Sequence, residues 1–374
     1  MRILAIETSC DETAAAVVED TTILSSVKFT QTSHAEFGGV VPSLAKRDHE
    51  ARIDEIVNSA MLKAQCSMLN IDAIAVTVGP GLAIALEVGI KKAKELANRH
   101  NKPLIAVNHI EGHLLSPLAT LDTSPYPSPI IGEGIKGRGI NFPAMGLVVS
   151  GGHTELILIE EIGKYKIIAE TIDDALGEAL DKAARILGFP YPGGALLEKA
   201  AALGNPKKYL LPLPMAGKED QNQFSYSGLK SAFGRLISAQ KKVLSTQEIN
   251  DLAAAFQNRA FEHLTRVVTK SITPLPPLNL RGGGESNEPR VILVGGGVIA
   301  NQELRRHLNK LGEELNLKVY FAPTELTGDN AAMIGIAASF KAEKKQFVKD
   351  FDNIDRLPRW RIDQGITPPF RHPS

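Results

Sequence analysis

Two stretches of this chain repeat one order of predicted elements, and that repetition limits the possible folds more than any single motif does. Residues 2–7, 14–19 and 22–29 read as three short strands, the first two joined by the polar turn 8–13. A helix-period stretch follows at 42–64, then the buried strand IDAIAVTV (71–78), the turn Gly79-Pro80-Gly81, a helix to about His100 and the strand LIAVN (104–108). The order then restarts. MGLVVSGG (145–152), TELILIEE (154–161) and KYKIIAET (164–171) read as strands and 174–187 as a helix; several helical segments follow, including 247–271. The strand VILVG (291–295), a helix from about 301, the strand LKVYFAP (317–323) and a helix over 329–344 complete the unit. Two successive β-β-β-α-β-α-β units, alike in element order rather than in sequence, predict a duplicated α/β architecture with a cleft between its halves, where ligands of such folds bind.

At 374 residues and 43% hydrophobic content the chain can bury a large core and exceeds the usual length of one domain. The Pro- and Gly-rich stretch 121–143 reads as a linker between an N-terminal domain, 1–120, and a C-terminal domain, 144–345; residues 346–374 read as a tail. A second Pro- and Gly-rich stretch, 273–290, reads as an exposed loop. Lys plus Arg equals Asp plus Glu, 42 each, so overall charge gives little attraction for phosphate. Local basic patches remain at Lys91, Lys92, Lys94 and Arg99, and at Lys241 with Lys242; each also reads as a solvated helix face. Two cysteines, Cys10 and Cys66, form no CxxC and suit a reducing compartment. The chain opens on a strand rather than a targeting signal, and no apolar run reaches the ~18 residues of a membrane span, so a cytoplasmic protein off the membrane is expected.

The chemistry concentrates in VNHIEGHLL (107–115), which places His109 and His113 four residues apart, on one face of a helix. That spacing holds a metal or, more plainly, a pair of helix-surface or capping histidines. Glu111 follows the first histidine by two residues, about 200° round the helix, and misses the general-base position of the HExxH peptidases. Asp329, in TGDNAAMIG (327–335), reads either as a helix N-cap or as the carboxylate of a two-His, one-carboxylate metal site with open coordination positions. Each half opens with a turn, ETSCDET (7–13) and SGGHTE (150–155), whose backbone N–H groups suit phosphate oxygens or, equally, a tight hairpin. Gly295-Gly296-Gly297, after a buried strand and before a helix, suits a nucleotide, although its spacing is not GxGxxG and supports no Rossmann site.

The stretches IETSCDET (6–13), GGVVPSLAKRDH (38–49), GPGL (79–82), NHIEGHL (108–114), LVVSGGHTEL (147–156), DDALGEALDKAARILG (173–188), YPGG (191–194), FSYSGLK (224–230), GGGVIAN (295–301) and GDNAAMI (328–334) closely resemble the TsaD family, in the family's order and over about residues 1–345. The resemblance implies a duplicated actin/Hsp70-like (RNase H-like) two-domain fold with a central cleft. It also implies an acyltransferase that moves the threonylcarbamoyl group of threonylcarbamoyl-AMP to N6 of the adenosine following the anticodon in tRNAs reading ANN codons. By motif, His109, His113 and Asp329 match the family's metal ligands, for one divalent ion, Fe(2+) before Zn. Val148, Val149, Ser150, Gly151, Gly152, Asp181, Gly194 and Asn301 match its substrate-binding positions, with Asp181 and Asn301 assigned to sugar hydroxyls. Asp11 and Glu12 are candidates for assisting proton removal from the adenine amine. Implied partners are tRNA and proteins of the TsaB and TsaE type. The alternatives are an ATPase or kinase of the same fold, which needs no HxxxH pair, and a metallopeptidase, which needs HExxH. The chain departs from the family's pattern at Glu198, where many members carry Asp, and in the tail, where the only tryptophan, Trp360, lies in no motif of the family.

Overall fold

The structure, a computed structural model, describes residues 1–31, 33, 34, 37, 39–121, 140, 142–218, 221–272 and 290–364. The stretches 121–143 and 273–290, read as loops, lie almost wholly outside these residues. The chain forms two compact units, one comprising Met1–Asn141, Glu160–Lys166 and Ala322–Ser374, the other Phe142–Ile159 and Ile167–Phe321.

In the first unit β1 (Arg2–Glu7), β2 (Glu12–Glu19) and β3 (Thr22–Thr30) form an antiparallel meander. After α1 (Pro42–Lys63), β4 (Ala73–Gly79) pairs parallel to β1; after α2 (Ala83–His100), β5 (Leu104–Asn108) pairs parallel to β4. The short α3 (His109–Leu115) leaves the end of β5, and the two-residue β6 (Thr120–Leu121) adds to the outer edge, giving the order β5-β4-β1-β2-β3-β6. β4 is buried at every residue because helices cover both faces of a parallel strand, which is why it reads as an unbroken apolar run. α2 ends on Asn101 in the left-handed conformation, φ 50°, which asparagine tolerates.

The second unit repeats the scheme. β7 (Ala144–Val149) and β8 (Thr154–Glu161) are antiparallel, and β9 (Lys164–Thr171) lies next to β8. Then come α4 (Leu176–Ile186), α5 (Gly194–Ala201), the two-residue β10 (Gln223–Phe224), α6 (Ser227–Ser238) and α7 (Thr246–Ile272). β11 (Arg290–Gly295) and β12 (Leu317–Phe321), joined by α8 (Gln302–Leu315), complete the order β10-β9-β8-β7-β11-β12, with β11 parallel to both β7 and β12. In both sheets the first strand is central, the second and third follow on one side, and two parallel strands follow on the other.

The last helix, α9 (Ala331–Glu343), belongs to the first unit, to which the chain returns at Ala322, whereas the sequence reading carries the second domain to 345. α9 is buried from Ala331 to Ala342 and apolar all round, so its pattern says that it is covered without saying by which sheet. Nor does the first unit stop at α9: Ile354 and Trp360, in the segment read as a tail, are buried in its core with Leu86, Ile90 and Leu104.

Candidate metal centre and glycine turns

In the first unit, Asn108 at the end of β5 caps α3, its side-chain oxygen accepting from Ile110 N at 2.8 Å and Glu111 N at 3.3 Å. His109 is therefore the first helical residue, and His113 lies one turn on, with ring centroids 4.7 Å apart. On the approach to α9 the cap is Asn330, whose side chain accepts from Met333 N at 2.9 Å, so the N-cap alternative for Asp329 does not hold. Relieved of that duty, the Asp329 carboxylate meets both imidazoles: Oδ1 lies 3.5 Å from His109 Nε2 and 3.0 Å from His113 Nε2. One ligand atom from each residue falls within 4.8 Å of the others, and both histidines are buried.

The far side of His109 is fixed as well. Its Nδ1 lies 3.1 Å from Glu7 Oε2 and 3.1 Å from Ser9 Oγ, and Glu7 also accepts from Thr77 Oγ1 at 2.6 Å and from Ser9 N. A carboxylate at Nδ1 sets the ring so that Nε2 faces Asp329, the arrangement that orients a ligating imidazole. Burial opposes a charge on His109, yet Asp329 and Glu7 outweigh it and lift the imidazole to about 9. Burial would likewise raise Glu7, but the His109 charge and hydrogen bond hold its carboxyl below the ordinary range. His113 goes the other way, burial holding it below its ordinary value despite the Asp329 hydrogen bond. The carboxylates thus call for a positive charge, and two imidazole nitrogens with one carboxylate oxygen are a donor set that fits a divalent ion of the Fe(2+) or Zn(2+) kind.

Glu111 points away from this point. It is 2% exposed, accepts from Tyr165 Oη at 2.9 Å and pairs with Lys341 Nζ of α9 at 3.2 Å. A carboxylate so engaged cannot serve as a peptidase base. Asp11 and Glu12 lie at the start of β2, and Glu12 is pushed up to about 10 by burial and by the charges of Asp329 and Asp11. Of the candidate basic patches, Lys92 is tied to Asp54 at 2.7 Å and Glu95 at 3.1 Å, and Lys242 to Glu248 at 2.6 Å, which leaves each patch less positive than its lysines suggest.

The glycine turns belong to the second unit. Val148 and Val149 end β7, fully buried; Ser150 N donates to His153 O at 2.8 Å, and Gly151 and Gly152 are exposed with open space where a Cβ would stand. Gly295 pairs with Val148 across the parallel strands, and Gly296, at φ 101°, comes so close that a Cβ there would lie 2.3 Å from Val149 O. From α4, Gly177 N donates to Ser150 O at 3.2 Å, and a Cβ at 177 would lie 2.6 Å from that oxygen. Three glycine-containing segments thus meet at the carboxyl ends of β7 and β11, the end of an open α/β sheet where ligands bind.

The two residues assigned to sugar hydroxyls are largely engaged within the unit. Asp181 Oδ1 accepts from Gly193 N at 2.9 Å and Gly194 N at 2.7 Å, which fixes the YPGG turn at the start of α5. Asn301 caps α8, its oxygen accepting from Leu304 N at 3.0 Å and its nitrogen donating to Gln257 Oε1 at 2.8 Å. It directly follows the Gly297–Ala300 turn, its backbone N–H donating to Val298 O at 3.0 Å. Glu198 joins the same end, accepting from Gln302 N at 2.8 Å.

A family model described as tRNA N6-adenosine threonylcarbamoyltransferase, TsaD, matches residues 22–336. A protein of that name from Moorella thermoacetica is 44% identical over 350 residues, spanning 92% of this chain and 93% of its own length. Another, from Bartonella bacilliformis, is 40% identical over 376 residues, spanning 98% and 97%. The chain belongs to the TsaD family. Among solved structures, HypF from T. kodakarensis matches with a TM-score of 0.51 at 13% identity, over 92% of this chain and 48% of that one. Full-length HypF in a phosphate- and nucleotide-bound form matches with a TM-score of 0.54 at 12% identity, over 91% and 46%. At these identities the likeness concerns the fold, the duplicated α/β scheme of the actin/Hsp70-like (RNase H-like) class that the two sheet orders display.

Sequence reasoning had assigned no role to Glu7, Ser9 or Gly177 individually. All three lie inside the TsaD motifs. Glu7 had a physical signal as well: an acidic residue closing an apolar strand is buried at a cost unless it has partners.

Proposed function

We propose that this chain transfers the threonylcarbamoyl group of threonylcarbamoyl-AMP to N6 of the adenosine following the anticodon in tRNAs that read ANN codons. Membership in the TsaD family supplies the reaction class, and the convergence of His109, His113 and Asp329 on one point carries the reading. In the transfer, the adenine N6 forms a bond to the carbamoyl carbon, the bond from that carbon to the phosphate oxygen breaks with its electron pair leaving on AMP, and N6 loses a proton. His109, His113 and Asp329 hold the divalent ion, Fe(2+) ahead of Zn. When bound, such an ion supplies Lewis-acid polarisation of a carbonyl or phosphoryl oxygen.

The chain's own groups divide the remaining work. Glu7 and Ser9 hold the His109 ring by its Nδ1. Gly151 and Gly152 leave backbone accessible to the nucleotide part of the donor, Gly296 lets β11 approach Val149 closely, Asp181 and Asn301 keep the turns at Gly194 and Gly297 in shape, and Val148 and Val149 wall the end of β7. Asp11 and Glu12, where the chain enters β2, are the candidates for taking the amine proton. A chain with 42 basic and 42 acidic residues has weak overall grip on tRNA, so partners of the TsaB and TsaE type supply part of the binding in the cytoplasm. Among the described residues no helix is long and apolar enough to cross a membrane. Nucleoside analysis of tRNA tests the proposal: cells depleted of this protein should lose threonylcarbamoyladenosine and regain it with the wild-type chain but not with His109→Ala. Retention of the nucleoside after depletion contradicts it.

A further inference from the structure

The segment after α9 is built into the first unit at the place where the metal helix begins. Val348 N donates to Leu104 O of the edge strand β5 at 2.8 Å, so the segment meets the outer edge of that sheet. Further along, Leu357 N donates to Val78 O at 2.6 Å and Gly81 N donates to Pro358 O at 3.2 Å, tying the segment to the end of β4 and the turn after it. The approach is so close that a Cβ on Gly79, at φ 153°, would lie 1.8 Å from Leu357 O. Ile354, Trp360 and Ile362 anchor it, each less than a tenth exposed, and Arg356 faces Glu87 of α2 at 3.7 Å.

The last of these ties reaches the site. Asn108 Nδ2 donates to Trp360 O at 3.3 Å, while Asn108 Oδ1 caps α3. An asparagine amide left alone can turn over and present its nitrogen to the helix; with the nitrogen engaged by Trp360 O, the oxygen stays on the helix N–H groups. His109 is the next residue, so the direction of its Nε2 depends on that cap.

We propose that the segment 348–362 is a positioning strap for the metal centre: through Trp360 O and Asn108 it fixes the first turn of α3 and hence the His109 ligand. The proposal rests on the metal reading of His109, His113 and Asp329. It assigns a role in metal affinity to a segment that lies outside every motif of the TsaD resemblance.

The test uses the full-length metal-free protein titrated with Zn(2+) by calorimetry, with thermal unfolding measured alongside. Asn108→Ser keeps a good helix cap but cannot reach Trp360 O, and Trp360→Ala loosens the strap while keeping Asn108. Val57→Ala, in the same core and far in sequence from the strap, controls for lost stability alone. Both strap variants should bind Zn(2+) about tenfold more weakly, the usual cost of losing a group that orients a ligand. Val57→Ala should melt lower with its Zn(2+) affinity unchanged. Strap variants that bind Zn(2+) as tightly as the wild type, or no more weakly than Val57→Ala does, overturn the proposal; should Trp360→Ala fail to fold, Asn108→Ser decides it alone. His109→Ala in the same titration reports on the metal reading itself: loss of binding there with full binding in Asn108→Ser means that the site stands and the strap does not.

Discussion

The two units share a strand order and differ in what they carry at the strand ends. In the first, the end of β1, the start of β2 and the end of β5 carry acidic and imidazole side chains, Glu7, Asp11, Glu12 and His109, and Asp329 comes in ahead of α9. In the second, the matching turn carries His153 and Glu155, but Gly151 and Gly152 ahead of them are exposed with open space where a Cβ would stand, and Asp181 and Asn301 serve a turn and a cap. On the proposed function, the same sheet supports side-chain chemistry in one copy and backbone recognition in the other. The scaffold sets where the strand ends lie, and the residues placed there set what they do.

Substitutions that break one side of this comparison should leave the other intact. The largest effect is expected for His109→Ala or His113→Ala, each of which should remove metal and lower transfer by a factor of 100 or more, about 3 kcal/mol of barrier, while a nucleotide analogue still binds. Metal content and analogue titration on one preparation check both halves; full metal occupancy in both single variants would dissolve the first-unit site. On stability, as distinct from transfer, the largest effect is expected for Lys341→Met, which strands the buried Glu111 carboxylate and should cost about 3–5 kcal/mol, much of it recovered in the double variant Glu111→Leu/Lys341→Met. Urea unfolding of the single and double variants measures it, and additive losses would rule out a coupled pair. In the second unit Gly296→Ala drives a methyl against Val149 O in a backbone conformation that alanine avoids, so analogue affinity should fall tenfold or more, about 1.4 kcal/mol, with metal content unchanged. Asn301→Ala should act in the same direction and less, losing a cap of about 1 kcal/mol. Equal affinities for wild type and both variants would detach the glycine turns from the nucleotide.

The smallest effect expected is one of pH. Asp173 and Asp174 of the second unit are held below the ordinary carboxylate range: burial raises both, but the hydroxyl and backbone hydrogen bonds of Ser225, Tyr226 and Ser227 on the first and the Lys182 and Lys230 bonds on the second outweigh it. A carboxylate whose folded pKa is depressed adds stability above its unfolded value of about 3.9, and that stability fades as pH falls through the folded value. Unfolding midpoints below about pH 4 should therefore fall less steeply in Asp174→Asn than in the wild type. Parallel curves would mean that the two lysines add nothing to the unit.

Much of this arrangement is legible in the sequence because it rests on local pattern. The two β-β-β-α-β-α-β orders follow from period and turn residues, and HxxxH places two imidazoles on one helix face whatever surrounds it. What stays hidden depends on long-range packing. The uniformly apolar α9 gives no sign of which sheet it covers, and the two-residue strands β6 and β10 are too short to leave a pattern. Asp329 and Asn330 are both good caps, and only the structure assigns the cap to Asn330 and the carboxylate to the histidines. ETSCDET reads as a phosphate-type turn, yet its Glu7 side chain turns inward to His109. Trp360 reads as part of a tail with no motif, although a lone tryptophan among charged residues is itself a sign of an anchor.

The central claim, that the His109, His113 and Asp329 cluster serves threonylcarbamoyl transfer, is tested most directly by reconstitution. Metal-loaded protein, threonylcarbamoyl-AMP, a tRNA reading ANN codons and partners of the TsaB and TsaE type are combined, and the tRNA is digested to nucleosides. The account predicts threonylcarbamoyladenosine with the wild-type chain, a yield that falls as salt screens the tRNA phosphates, and none above background with His109→Ala. An equal yield from His109→Ala, or from the same mixture without this chain, would contradict it.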